Sequence, residues 1–216
     1  MNALIVHSDE IYGDLIKIPK IRVAQGIGFE LPVSILGGER FWGRIEDERN
    51  EVVIIRLLKK LPPLERLDVT LMVGLSRPQT IKKVLAVAVQ TGVKKLCFVK
   101  TERGEKSYLS ANILKNLEIE VIKSLEQTGD SHGPDIKIYK SLPEFLKNET
   151  SINGILFTPD GDSTESIKTP SLLSVGPEAG FSESEVAMMK DFKKIKLSDR
   201  VLRVEIAVAM AIGKVY

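Results

Sequence analysis

The sequence predicts an α/β protein in which a small β-barrel precedes a mostly parallel sheet covered by helices. Three features of the 216-residue chain carry that expectation. Residues 1 to about 58 hold short apolar runs punctuated by glycine and no segment of helical period, the pattern of a small barrel. Lys59-Lys60-Leu61-Pro62-Pro63 reads as a linker stiffened by its prolines. Beyond it strand-like and helix-like segments alternate, which implies parallel strands joined by crossover helices. The expected division is therefore residues 1–62 for the barrel and 63–216 for the α/β domain.

Composition excludes several classes. The chain is 43% hydrophobic and 28% charged, ordinary for a globular protein, and its net charge is only +2. Any nucleic-acid contact must then come from local patches rather than a global field. A lone cysteine, Cys97, rules out an internal disulfide framework and suits a reducing cytoplasm; lying in Leu96-Cys97-Phe98-Val99, it reads as a buried, inert thiol. With only His7 and His132, a histidine metal site or a catalytic triad is not expected. No apolar stretch approaches the roughly 18–20 residues needed to span a bilayer, and no basic segment followed by a long apolar run opens the chain. The expectation is a cytoplasmic protein without a metal or membrane partner.

In chain order, Ala3-Leu4-Ile5-Val6 opens the barrel, and Glu30 to Leu36 runs into a hairpin-type turn at Gly37-Gly38. Arg40 to Ile45 and Val52 to Leu57 follow, with Glu46 to Asn50 as the turn between them. Lys17, Lys20, Arg22, Arg40 and Arg44, with Trp42 for stacking, read either as a basic face for RNA or as a solvated face beside a core tryptophan.

The second domain begins with a strand at Asp68 to Leu75 and a helix at Gln79 to Gln90, whose Ile81, Val84, Leu85, Ala88 and Val89 share one face. Lys95 to Lys100 is the next strand, Leu109 to Gln127 a helix closed by Gly129, Asp135 to Tyr139 a strand and Leu142 to Lys147 a short helix. Gly154 to Pro159 is a strand entering a turn at Asp160-Gly161-Asp162, and Ser163 to Thr169 is a polar loop. Leu172 to Val175 is a buried strand, broken by Gly176, Pro177 and Gly180. Ser182 and Glu185 then form a capping box, with Phe181 and Val186 placed as a hydrophobic staple. Lys194 to Leu197 is the last strand, and a helix from about Leu202 to Lys214 is apolar on every face. Such a helix is expected to be buried all round, in the core or against a second copy of the chain.

Three strand ends feed irregular loops: Phe157 to Asp160, Val175 to Glu178 and Leu197 to Arg200. Open α/β sheets bind ligands at the carboxyl ends of their strands, so these loops are expected to share one pocket. No dinucleotide fingerprint or phosphate-loop lysine is present. Glu178 and Glu183 near a glycine turn disfavour a bare phosphate and suit a small ligand with positive charge, or a neutral base and ribose. Arg200 and Arg203 read either as ion-pair partners of Glu205 or Glu178, or as a grip on a phosphodiester.

Gly-Pro-Glu-Ala-Gly-Phe-Ser at 176–182, followed by Leu-x-x-Arg-Val-Leu-Arg-x-Glu-x-Ala at 197–207, resembles the paired motifs of the RsmE family. These are SPOUT-class methyltransferases that modify the ring nitrogen N3 of a uridine in bacterial small-subunit (16S) ribosomal RNA. Thr91-Gly92-Val93, Thr101-Glu102-Arg103, Glu126-Gln127-Thr128-Gly129 and Ile21-Arg22-Val23 with Gly26 are similar to further family motifs, so the likeness covers nearly the whole chain. It implies a PUA-like barrel followed by an α/β domain tied in a trefoil knot, a homodimer, and S-adenosylmethionine as methyl donor. It also implies that Leu156, Phe157, Thr158, Pro159, Val175, Gly176, Glu178, Gly180, Leu197, Val201, Leu202, Arg203, Glu205 and Ala207 hold the donor.

The reaction would need no metal, only alignment of methyl and nitrogen and a group to take the uridine proton. Glu205 is the expected base, Arg203 its orienter, and Glu178 the second choice. Arg200 and the barrel cations would grip ribosomal RNA or the small subunit. Another RNA as substrate, or an RNA-binding assembly module without turnover, remain as alternatives. The chain departs from the family at Ala179, usually a second glycine, at Val204 and Ile206, usually threonines, and at Asp130, usually arginine. If Ala179 needs positive φ, it costs on the order of 1 kcal/mol.

Overall fold

The computed structural model describes residues 3–149, 153–163 and 166–215. Contacts divide the chain into two units, Met1–Glu65 with Val121–Gly133, and Arg66–Glu120 with Pro134–Tyr216.

In the first unit β1 (Leu4–Val6), β2 (Ile11–Tyr12), β3 (Leu15–Pro19), β4 (Glu30–Ile35), β5 (Arg40–Arg49) and β6 (Val52–Leu61) form one sheet in the order β1-β4-β5-β6-β3-β2. Only β1 and β4 run parallel; the other neighbours are antiparallel. Register shifts between β5 and β6, after Phe41 and after Ile45, bend the long hairpin and curl the sheet. Alternation along the strands sends Ile16, Ile18, Val33, Ile45, Val53 and Ile55 into one core, and leaves Trp42 and Arg44 outside.

Several boundaries differ from the sequence expectation. The turn expected over Glu46 to Asn50 shrinks to Asn50-Glu51, both at positive φ (50° and 63°), the backbone of a tight two-residue hairpin. Lys60 and Leu61, expected in the linker, pair with β5 instead (Phe41 with Lys60, Arg40 with Leu61). Strands β2 and β3 were too short and too mixed in character to announce themselves.

Residues 121–133 pack into this unit through backbone bonds: Ala3 N–H to Glu126 O at 2.7 Å and Gly37 N–H to Ser131 O at 2.7 Å. Asp130, 4% exposed, turns the chain there by accepting the Ser131 N–H at 2.7 Å and the His132 N–H at 3.2 Å.

The second unit contains β7 (Leu67–Gly74), α1 (Pro78–Gln90), β8 (Val93–Val99), α2 (Asn112–Lys115), α3 (Leu117–Thr128, which continues into the first unit), β9 (Asp135–Tyr139), α4 (Leu142–Asn148), β10 (Gly154–Asp162), β11 (Ser171–Val175), α5 (Glu183–Met188), β12 (Lys193–Ile195) and α6 (Val204–Gly213). Its sheet runs β12-β10-β11-β7-β8-β9, every neighbouring pair parallel, as the alternation of elements implies. The face of α1 read from its period is the buried one: Ile81, Val84, Leu85, Ala88 and Val89. Cys97 is fully buried, and loss of solvent pushes its thiol up to about 12, as an inert core residue requires.

Two expectations are corrected, and the one for the last helix loses its first alternative, burial within the chain's own core. The helix expected over Leu109 to Gln127 is broken into a short turn of helix at Lys106–Ser110, then α2 and α3, because Ala111 and Asn116 leave the helical backbone. The turn expected at Asp160-Gly161-Asp162 is the end of β10, which hugs the chain so closely that a Cβ on Gly161 would sit 2.5 Å from the Ile195 carbonyl carbon. Helix α6 is not enclosed by its own chain: Val204, Val208, Ala211 and Ile212 face inward, while Ile206 (47% exposed) and Met210 (37%) face out. Of the polar loop expected at Ser163 to Thr169, residues 164 and 165 lie outside the described residues.

Glu149, just past α4, closes the β8–β9 edge. Its nearly buried carboxylate accepts from the Tyr139 hydroxyl (2.6 Å), Lys95 (2.9 Å) and Lys137 (3.2 Å). Burial works to raise its pKa, yet the Tyr139, Lys95 and Lys137 bonds outweigh it and hold the carboxyl below its ordinary value. A depressed folded-state pKa stabilises the fold above the ordinary carboxylate range and loses that stability as pH falls through the folded value. Glu149→Gln is therefore expected to lower stability by about 1 kcal/mol at neutral pH, and by visibly less in strongly acidic buffer. Thermal melts at the two pH values test this; an equal deficit at both would refute the linkage.

Candidate active site

The carboxyl-terminal half of β10 and the loops after β11 and β12 meet around one cavity of about 550 Å³. Phe157, Thr158, Pro159 and Asp160 form one wall, Val175 to Phe181 the second, and Leu197 to Leu202 the third, with Val204 and Ala207 of α6 as the floor. The convergence expected from the strand ends is thus present, and its cause is the sheet order. Strands β12, β10 and β11 are neighbours, so their carboxyl ends open side by side.

The β11 wall is built by two glycines and a cap. Gly74 at the end of β7 lets the following loop lie directly on it: a Cβ there would be 2.3 Å from Pro177 Cδ and 2.5 Å from Pro177 N. Gly180 takes the positive φ (69°), whereas Ala179 has none, so alanine in place of a second glycine is unstrained here. Ser182 then caps α5: its hydroxyl accepts the Glu185 N–H at 3.1 Å, and Glu185 accepts the Ser182 N–H at 2.9 Å, the capping box read from the sequence.

Of the residues the family resemblance implied, Phe157, Thr158, Pro159, Val175, Gly176, Glu178, Gly180, Leu197, Val201, Leu202 and Ala207 line the cavity, as does Arg200. Leu156 lies behind it, fully buried in the core. Arg203 is the exposed N-cap residue of α6, outside the lining. Glu205 is also outside it: its carboxylate is held by Lys83 of α1 at 2.9 Å, and that bond keeps it below its ordinary pKa.

Glu178 does line the cavity. Its Oε1 accepts from the Thr80 hydroxyl (2.9 Å), Arg77 Nε (3.2 Å) and the Arg77 N–H (3.4 Å). Partial burial works to raise its pKa, but bonds from its own backbone, Thr80 and Arg77 together leave it below the ordinary carboxylate value. Neither glutamate is paired with Arg200 or Arg203, the ionic partners the sequence suggested. Asp160, Ser198 and Asp199 lie on the lining within the stretches expected to converge there, whereas Arg103 lies outside all three of those stretches. Arg103 carried two signals, its place just beyond the carboxyl end of β8 and its membership of the Thr101-Glu102-Arg103 motif.

The barrel cations are largely engaged. Lys20 pairs with Glu48, Arg22 with Glu10, and Arg44 with Glu30. Arg40 donates to Gly129 O at 2.6 Å and Pro62 O at 2.7 Å, stitching the first unit together. Lys17 lies over the Tyr12 ring, 4.9 Å from its centroid. Among the described residues no group of three or more His, Cys, Asp or Glu side chains is placed to hold a metal ion, and no helix is long and apolar enough to cross a membrane.

A family model described as an RNA methyltransferase domain matches residues 63–215. The chain belongs to the RNA methyltransferase domain family. The likeness to RsmE proteins read from its motifs is supported by its relatives. It is 28% identical over 208 residues to the ribosomal RNA small subunit methyltransferase E 1 of Borreliella burgdorferi, covering 91% of this chain and 85% of that protein. It is 27% identical over 188 residues to the ribosomal RNA small subunit methyltransferase E of Rickettsia conorii, covering 81% and 75%. Among solved structures it superposes on the Neisseria gonorrhoeae ribosomal RNA small subunit methyltransferase E bound to S-adenosyl methionine, with a TM-score of 0.81 at 22% identity over 99% of this chain and 95% of that one. A Legionella pneumophila protein solved with bound SAM agrees at a TM-score of 0.76, 19% identity, and 99% and 96% coverage. This agreement shows the fold, a curled six-stranded sheet unit and a parallel α/β unit of the SPOUT kind.

Proposed function

We propose that this family member transfers a methyl group from S-adenosylmethionine to N3 of a uridine in 16S ribosomal RNA. The observation that carries this reading is the convergence of three strand ends on one cavity whose walls suit that donor. At about 550 Å³ the cavity is of small-molecule size. Val175, Leu202 and Ala207 offer apolar surface for an adenine ring, and the irregular 197–202 backbone offers N–H and C=O groups for its edge. Glu178 on the lining suits a ligand that carries a sulfonium and an ammonium, and Asp160 and Asp199, paired with Lys194 (3.0 Å) and Lys196 (2.9 Å), would serve by exchanging those lysines for it. S-adenosylmethionine, when bound, supplies an electrophilic methyl, so the protein's own work is alignment, exclusion of water and proton transfer.

Of the two glutamates read from the sequence, Glu178 is better placed to take the N3 proton, because Glu205 is held by Lys83 off the lining. The Glu205–Lys83 pair then serves to fasten α6, whose first turn floors the cavity, to α1. Arg200 on the cavity rim is placed to hold an RNA phosphate, and Lys17, Lys20, Arg22, Arg40, Arg44 and Arg203 remain proposed contributors to RNA binding. For the barrel cations this requires exchange of carboxylate or carbonyl partners for phosphate, so the barrel's part in affinity should be steeply salt-dependent.

The protein acts in the cytoplasm, as a homodimer. The outward face of α6 supports the dimer: Ile206, Ala209, Met210 and Gly213 follow helical spacing, are exposed, and are small enough in part for another helix to approach closely. Met210→Arg is expected to convert a dimer into a monomer in light scattering; a monomeric parent protein would refute the arrangement.

The function is tested by mass spectrometry of 16S ribosomal RNA from a deletion strain. Loss of one methyl from a single uridine, restored by the gene, is expected. An unchanged 16S methylation pattern would overturn the reading, and a methyl missing from another RNA would redirect it.

A further inference from the structure

A second cavity, of about 180 Å³, opens at the carboxyl ends of β7, β8 and β11. Leu75 and Arg77 follow β7, Arg103 and Tyr108 follow β8, and Pro177 and Glu178 follow β11. The chain runs outward from β7 through β8 to β9, then returns to lay β11 on the other side of β7. That reversal is where open α/β sheets leave a crevice for ligands. Arg103, Pro177, Glu178 and Ala179 line both this cavity and the larger one, so a single stretch of loop is their shared wall.

The wall is fixed in place. Glu185, 2% exposed, accepts the Glu102 N–H at 2.9 Å, Ser184 Oγ donates to the Glu102 carboxylate at 2.8 Å, and Arg103 Nη1 donates to Ala179 O at 3.2 Å. The segment carrying Arg103 and Tyr108 is thereby tied to the capped start of α5 and to the glycine turn.

We propose that this second cavity receives the target base itself, an unstacked uracil ring, with Tyr108 as its stacking partner and Arg77, Glu178 and Arg103 reading its imide edge. The inference rests on the reaction proposed above and adds where the acceptor sits. A uracil imide edge presents carbonyl, N–H, carbonyl. The cavity presents two guanidinium donors and a carboxylate acceptor, the complementary set. Cytosine would turn an amino donor toward an arginine, so the hydrogen-bonding edge is what selects the base. A base can enter only from a single-stranded or flipped-out position, where aromatic side chains stack on it.

The test is labelled methyl transfer to small ribosomal subunits lacking the modification, with S-adenosylmethionine binding measured in parallel by calorimetry. Tyr108→Ala is expected to raise the KM for subunits about tenfold while leaving the donor Kd unchanged, and Tyr108→Phe to keep the parent KM because the ring face remains. An unchanged KM in Tyr108→Ala overturns the subsite, as does a matching loss of donor affinity, which would make Tyr108 part of the donor cavity. A parent protein that methylates no uridine in the subunits defeats the reaction proposed above and the subsite with it. A parent that does so, beside an unimpaired Tyr108→Ala, defeats the subsite alone.

Discussion

The Gly74→Ala protein is expected to lose S-adenosylmethionine affinity roughly ten- to a hundredfold, although Gly74 touches no ligand. Its Cβ would enter the space of Pro177 Cδ (2.3 Å), Pro177 N (2.5 Å) and the Gly176 carbonyl carbon (3.1 Å). Two of those atoms are backbone, so no side-chain rotation relieves the clash, and overpacking of this kind costs about 1–3 kcal/mol. The strain has two outlets. β7 is locked between β8 and β11 by its ladder bonds, whereas the 176–180 turn has ligand space on its other side. The turn should yield, tilting the wall shared by both cavities. Calorimetry with S-adenosylmethionine, alongside thermal melting to establish that the fold persists, decides the matter; an unaltered Kd in a folded protein would show that the wall is not held by this contact.

Glu178→Gln is expected to lower the methylation rate by about 10²- to 10⁴-fold, the range for removing a general base, with much less effect on donor affinity. Glutamine keeps an oxygen to accept from Thr80 and Arg77, so the wall should stay in place while the negative charge is lost. Because those bonds hold the carboxyl below its ordinary value, it is ionised throughout the neutral range. The parent rate should therefore stay level toward mild acid and fall only as pH drops through the depressed pKa, and the variant should lack that acid limb. Single-turnover rates across pH give both readings. Full turnover in Glu178→Gln would move the proton-accepting role elsewhere, and Glu205→Gln is then the variant to measure.

Parts of the second unit were legible where an element carried its own local pattern. The buried face of α1, the strand at Asp135 to Tyr139 and the capping box at Ser182 and Glu185 all follow from local pattern. The long hairpin of β5 and β6 was not, since Glu46 to Arg49 look like turn residues and become strand only by pairing across to Val52–Ile55. The break between α2 and α3 was hidden for a similar reason: nothing in the period of 109–127 records that 121–133 must leave one unit to pack in the other.

At the site, the sequence by itself determined the loops and most of the lining, because parallel strands in this order must open their carboxyl ends together. It could not determine which charges are available. Glu205 and Glu178 are alike as letters, and Lys20, Arg22 and Arg44 read as a basic face. Only the tertiary structure pairs Glu205 with Lys83, leaves Glu178 on the cavity wall, and sets a carboxylate against each of those three cations. The physical reason is range. Hydrophobic period is a property of neighbours along the chain, whereas an ion pair between α1 and α6 joins residues more than a hundred positions apart and exists only once the sheet has brought them together.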